Sequence, residues 1–325
     1  MLSRVADSIY WMSRYVERAE NVARIIDVNL TIMLDSPTDQ QWRPLVSITG
    51  DDEDFARRYS EATRENVIHF LTFDRDNPNS IISCLRSARE NARSVREIIS
   101  SEMWLQLNQF YLTVNAAANN GLGEESPHEF FSEVKLSSHL FTGVTDATMT
   151  HGEGWHFSRL ARKLERADKT SRILDVKYFI LLRSVSDIGT PFDEVQWAAV
   201  LRSSSAFEMF RKRHGRISPR SIVEFLLLDT EFPRAIRFCI NSALESLHAI
   251  TGTPMGTYRR PAEKLLGQLS SDLAYVSVDD VIKEGLHEYL DSLQTRMNLV
   301  GTAIHDQFFA KRMPDTRHAS LDKIS

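Results

Sequence analysis

Glu17 lies between Arg14 and Arg18, with Glu20 and Arg24 one and two helical turns further on. Glu165 lies in the same way between Arg162 and Arg166, followed by Asp168 and Arg172. Two carboxylates of this kind could do general acid–base work. The arginines could instead grip a carboxylate or phosphate. On a helix, Glu20–Arg24 and Asp168–Arg172 are acid-first i,i+4 pairs, worth about 0.3–0.5 kcal/mol each. Arg14–Arg18 and Arg162–Arg166 place like charges at the same spacing, which is unfavourable unless an outside carboxylate or a bound anion sits between them. Three arrangements satisfy these residues. The glutamates answer arginines on the other segment in a buried network, the arginines line an anion or substrate site, or both are solvated charged faces. The basic neighbours depress the glutamate pKa values, which argues against a carboxyl poised near neutral pH.

Other chemistries have weaker footing. His151, Glu153 and His156 lack the i,i+4 histidine pair of a helical zinc motif, and Gly152 and Gly154 loosen the segment, so no metal is expected there. An irregular helix start with a packed Trp155 accounts for it. No glycine-rich phosphate loop is present, and no cofactor is expected. Cys84 and Cys239 have no histidine nearby in sequence and read as buried structural residues. Arg211, Lys212, Arg213 and His214, with Arg216 and Arg220, could hold phosphate or an acidic partner. Aromatic residues do not interleave with them, and a solvated turn explains them equally.

The elements that must position these side chains are helices, and they repeat. Residues 14–28 recur 148 positions later, with eight of fifteen identical. A second match runs at an offset of 155, from Gln41-Trp42 against Gln196-Trp197 to Glu90 against Glu245, and fourteen of its fifty pairs are identical. Phe55/Phe210, Arg58/Arg213, Asp74/Asp229, Pro78/Pro233 and Cys84/Cys239 all fall in this register. Such sharing of Trp, Cys and Pro reads as a tandem duplication, with segments 1–150 and 151–325 packed as one unit. The change of offset places an insertion in the second copy, within 183–191.

Residues 9–30 put Trp11, Met12, Tyr15, Val16, Ala19, Val22, Ala23 and Ile26 on one face of a helix. Arg14, Glu17, Glu20, Asn21, Arg24 and Asp27 lie on the other, with Arg18 at the boundary. A helix is expected from Asn79 to about Ile99, with Arg86, Arg89, Glu90, Arg93, Arg96 and Glu97 outward. Pro37 and Pro191 should end the first long helix of each copy, and Asp74 to Pro78 and Asp229 to Pro233 should supply an acidic start, with proline near the first turn, to the next helix. Residues 119–127 form the clearest loop, and the tail after Met313 should fray. No stretch alternates with period two, so the fold is expected to be all-α: two homologous bundles about a pseudo-two-fold axis, with the Glu-Arg helices central.

Composition narrows the class. The 325 residues are 42% hydrophobic and 26% charged, ordinary for a globular chain. A net charge of −5 supplies no field to recruit nucleic acid or anionic lipid. Two cysteines cannot build a disulfide framework, which fits a reducing cytoplasm. Neither a signal-peptide pattern nor an apolar run long enough for a membrane span is present.

Trp11 to Asn21, Gly154-Trp155 through Asp168, Ala88 through Trp104 with Leu107-Asn108, and Phe225 to Asp229 with Phe232-Pro233-Arg234 together resemble the Alpha-E family, bacterial helical proteins named for a Glu-Arg motif. His151 and His156 are not part of the pattern. The resemblance implies association with a circularly permuted ATP-grasp ligase and a transglutaminase-like protein, and so with peptide or amide-bond metabolism. The expected function is a helical binding or scaffold component of that peptide-modifying system. The alternative is an enzyme or substrate carrier that handles a peptide or carboxylate at the Glu-Arg cluster. An open, electropositive cleft at the arginines would favour the alternative, and its absence the scaffold.

Overall fold

The computed structural model describes residues 1–35, 42–121, 127–180 and 191–310. Fifteen helices and no strand are found among them. The first seven are α1 (Ser3–Asp35), α2 (Arg43–Thr49), α3 (Asp52–Arg58), α4 (Arg64–Thr72), α5 (Ile81–Ser94), α6 (Ser101–Asn120) and α7 (Pro127–Thr148). Eight follow: α8 (Glu153–Ile180), α9 (Pro191–Ser203), α10 (Phe207–His214), α11 (Pro219–Leu228), α12 (Ile236–Thr251), α13 (Pro261–Tyr275), α14 (Val278–Glu284) and α15 (Leu286–Phe308).

The two Glu-Arg helices, α1 and α8, pack against each other at the centre. Helices α5 and α7 flank α1, and α12 and α15 flank α8. This placement explains the main departure from the helical-wheel reading. Most of the polar face of α1 is turned away from water: Glu17, Glu20, Asn21 and Arg24 are buried with its apolar face, while Arg14 and Asp27 stay partly exposed. A helix surrounded on several sides can keep charges inside only by pairing them.

Around this centre, ordinary packing holds the bundle. Phe70, Phe110, Phe131, Phe157 and Phe210 are almost fully buried, each worth about 1.5–3 kcal/mol of transfer free energy. Side chains of Thr63, Ser80, Ser100 and Ser218 accept hydrogen bonds from backbone N–H groups in the first turns of α4, α5, α6 and α11. Gly50 ends α2 at φ +81°, where a left-handed residue closes the helix and its N–H reaches the carbonyls of Val46 and Ser47.

Helix starts and contacts recur in the 155-residue register. Helices α3, α4 and α5 start at 52, 64 and 81, and α10, α11 and α12 start 155 positions later. Phe55 meets Phe70 edge-on at 5.1 Å, and Phe210 meets Phe225 edge-on at 5.7 Å. Arg58 pairs with Asp74, and Arg213 with Asp229. Cys84 donates to the carbonyl of Pro78, and Cys239 to that of Pro233.

Several helix limits differ from expectation. Pro191 opens α9 rather than closing α8, since its fixed φ and missing N–H suit a first turn. The helix expected from Asn79 begins at Ile81, and Pro78 and Pro233 stand just before α5 and α12, near their first turns as expected. The helix expected to reach Ile99 ends at Ser94 with Val95 as its cap, although Val95 and Ile99 are still buried. Pro37, the 183–190 part of the proposed insertion and the tail after Met313 lie outside the described residues.

Candidate functional site

The like-charged arginines of α1 share one carboxylate from α8. Glu165, wholly buried, accepts from Nε of Arg14 and Nε of Arg18, both at 2.7 Å, and from a second Arg18 nitrogen at 3.2 Å. The unfavourable i,i+4 pair is thereby turned into a fork around an anion. Arg18 also donates to Oδ1 of Asn79 at 2.6 Å, and Asn79 in turn donates to Asp51.

The reverse pairing is also present. Glu17 of α1 receives a two-pronged bond from Arg166 of α8, both contacts at 2.7 Å. Arg234, at the entry to α12, reaches Glu17 at 3.5 Å, Asn21 at 3.0 Å, and Glu20. Glu20 also takes Arg24 and, at 3.2 Å, His139 of α7. Arg24 bonds Ser205 as well. Asp168 takes Arg172 at 3.1 Å and Lys169 at 3.2 Å.

Arg162 breaks the pattern. Counterpart of Arg14 in sequence, it makes no bond to Glu17, and Asp146 at 3.8 Å is its closest carboxylate. Burial, reinforced by Arg166, pushes its pKa below the ordinary arginine value. The structure therefore gathers nine of the ten predicted charged residues into ion pairs along the α1–α8 seam and leaves Arg162 weakly compensated.

The electrostatics shift these carboxylates away from neutral-pH acid–base work. Burial opposes the ionisation of Glu165, but Arg18 and Arg14 outweigh it and hold the carboxyl well below its usual range. Arg166 does the same for Glu17, and Arg234, His139 and Arg24 for Glu20. Asp168 is lowered by Lys169 and Arg172 against its own burial. Burial pushes the Cys84 thiol up to about 12, so it stays protonated.

On one side of this seam the surface opens into a cleft of about 520 Å³ between α1, α8 and α15. Its floor carries Arg14, Arg18, Lys169 and Arg172. Asp168 lies among them and Glu165 just behind, so four cations face two carboxylates and positive charge is left over. One wall is apolar, built from Tyr10, Trp11, Met297 and Phe309, with Arg14 over the Trp11 ring at 5.4 Å. Asn79, Thr49, Asn298, Thr302 and His305 supply neutral or ionisable hydrogen-bonding groups around the edge. Such a surface suits a ligand with an anionic head and an apolar or aromatic body.

Four contributors were missed in the sequence. Arg234 lies in the Phe232-Pro233-Arg234 motif without a local signal of its role, Lys169 lies inside the repeated segment, and Asn79 and His139 carry no signal of their own. His151 stacks on Trp155 at 4.2 Å instead of joining Glu153 and His156. Among the described residues no group of three or more His, Cys, Asp or Glu side chains gathers as metal ligands would. The basic run at 211–216 is exposed, with Arg213 held by Asp229 and Glu231. No helix among the described residues is long and apolar enough to cross a membrane.

Comparison with known proteins places the chain in a family. The chain is 23% identical over 315 residues to uncharacterized proteins of Mycobacterium bovis and of two Mycobacterium tuberculosis strains, a match covering 89% of this chain and 34% of each relative. The chain thus spans about a third of the length of these relatives. No solved structure matches it. The family model that matches, over residues 1–309, is described as a predicted alpha-helical domain with a conserved ER motif, and by that match the chain belongs to the Alpha-E family.

Proposed function

We propose that this chain is a helical binding component that holds a carboxylate-bearing peptide or similar amphipathic anion in the cleft at Arg14 and Arg18. The observation that carries the reading is the cleft itself: surplus positive charge on its floor, an aromatic wall beside it, and room for a ligand of several residues' side chains. The surrounding carboxylates are all held ionised, which favours binding and presentation over acid–base catalysis by the chain itself. Within the cytoplasmic ATP-grasp and transglutaminase-like system that the family resemblance implies, the role is to present a peptide carboxylate for modification.

The fold we propose behind it is a tandem duplication, 1–150 and 151–325, with α1 and α8 related by a pseudo-two-fold axis. The reciprocal Glu17–Arg166 and Glu165–Arg18 pairs support it, as do His128 on Asp27 and His287 on Asp175, matched bonds at 2.6 and 2.7 Å.

A scaffold role for the same system has one observation in its favour. Leu105 and Leu112 of α6 and Leu136 and Leu140 of α7 are all exposed on adjacent helices. Calorimetric titration with N-acetyl-L-phenylalanine and with its amide tests the binding role. Clear preference for the carboxylate, reduced in Arg18→Gln, is the expected result. Equal or absent binding of both, with stoichiometric co-purification of an ATP-grasp protein, would leave the scaffold role instead.

A further inference from the structure

The cleft has a counterpart, and the counterpart is closed. On α7, Ser138 and Thr142 stand where Met297 and Gly301 stand on α15, given that His128 and His287 make the same bond to Asp27 and Asp175. Val16 and Arg162 correspond to Leu164 and Arg14 in the 148-residue register. Ser138, Thr142, Val16 and Arg162 surround a void of only about 10 Å³, against about 520 Å³ for the open cleft. Two differences account for the contrast. Ser13 of α1 bonds Ser158 of α8, two small side chains beneath α7 on the closed side, whereas the larger Tyr10, Trp11 and Phe309 line the space beneath α15. At the polar end, Arg234 fills the gap between Glu17, Glu20 and Asn21. The residue 155 positions before Arg234 is Asn79, which lines the open cleft.

The charge tally supports the correspondence. On the closed side Glu17 and Glu20 meet Arg166, Arg24 and Arg234, with Arg162 nearby but unbonded to either. On the open side Glu165 and Asp168 meet Arg14, Arg18, Arg172 and Lys169. Lys169 lies 3.2 Å from Asp168 and 3.9 Å from Glu165, doing for this pair what Arg234 does for the other. Lys169 corresponds in sequence to Asn21. The fourth cation thus sits on the α11–α12 connection on the closed side but on α8 on the open side, where the shorter Asn79 stands at the position corresponding to Arg234.

We infer that Asn79 keeps the polar end of the ligand cleft open, standing where the other half of the molecule carries a built-in plug, Arg234. Consequently one ligand binds per chain, not two. This inference concerns the cleft to which binding was assigned above and rests on that reading for its functional meaning, but accessibility can be measured without any ligand.

The experiment grafts the closed arrangement onto the open side with Asn79→Arg plus Lys169→Asn, which conserves charge. Arginines are labelled with phenylglyoxal and mapped by mass spectrometry, with the exposed Arg57 as internal standard. In the wild type, Arg14 and Arg18 should label faster than Arg162 and Arg166. In the graft they should slow to the rate of that second pair, and binding of N-acetyl-L-phenylalanine should weaken at least about tenfold beyond Lys169→Asn alone. Should the graft fail to fold, Asn21→Lys plus Arg234→Asn tests the converse, with Arg166 expected to become more reactive. Unchanged labelling in a folded graft, or in the folded converse variant, overturns the inference. Slowed labelling in a protein whose wild type binds no carboxylate would retain Asn79 as the gatekeeper and reject the binding role.

Discussion

Glu165 serves two masters: it neutralises a pair of like charges and shapes the floor of the cleft. Removing its charge separates the two effects. With the side chain wholly buried and Arg14 and Arg18 mostly so, Glu165→Gln leaves two guanidinium groups short of an anion, and unfolding free energy should fall by about 3 kcal/mol in urea titration. Arg14→Gln should cost distinctly less, because Arg18 and Lys169 still face the carboxylate. Equal losses in the two variants would contradict a network centred on the glutamate. The pH dependence has a definite sign. Glu17, Glu20, Glu165 and Asp168 all have folded pKa values below their ordinary ones, so the stability they lend is complete above the normal carboxylate range. It is lost as pH falls through the folded values, because the unfolded chain takes up protons that the folded one refuses. Circular dichroism across an acid series should show this limb shortened in Glu165→Gln.

At the scale of elements, α8 carries a charge that its packing disfavours. Lys163 lies 4.5 Å from the centre of the Phe238 ring on α12, and burial, with Arg166 and Arg162 close by, lowers its pKa to about 8. A lysine with a depressed folded pKa makes the protein less stable at neutral pH and relatively more stable as pH rises from about 8 toward its ordinary value near 10.5. Lys163→Met should therefore raise the neutral-pH melting temperature, and its advantage over wild type should shrink between those pH values. A constant difference across the alkaline range would contradict the assignment. Gly50 couples another element to the cleft. At φ +81°, a side chain there is strained by about 1–2 kcal/mol, and its Cβ would stand 3.3 Å from the Arg172 guanidinium. Gly50→Ala should lower thermal stability and disturb binding together, whereas a change in stability alone would detach Arg172 from the ligand.

For the whole molecule, helical class and central elements were legible because period-3.6 patterning and a repeated motif survive in one sequence. The Glu-Arg segments announced their importance through like charges that no isolated helix would keep. Their burial was harder to read, since a helical wheel assigns charge to solvent and cannot register that α5, α7, α8 and α9 enclose α1. Asn79 and His139 join the site through tertiary proximity alone, whereas Lys169 sits beside Asp168 and one turn from Glu165 on α8. Arg234 was visible in a motif, yet its role needed the fold to bring residues more than two hundred positions apart into contact. The cleft follows from small differences between corresponding positions, Asn79 against Arg234 and Gly301 against Thr142, whose meaning appears only when the two sides are compared in space.

The central claim, that surplus charge on the cleft floor and the aromatic wall together hold an amphipathic anion, is tested most directly by a crystal structure of the protein saturated with N-acetyl-L-phenylalanine. The account predicts its carboxylate within hydrogen-bond distance of Arg14, Arg18 or Arg172, its ring against Trp11 or Phe309, and no copy beside Arg162 and Arg166. A cleft left empty at saturation, or a carboxylate bound on the opposite side at Arg166, would contradict it.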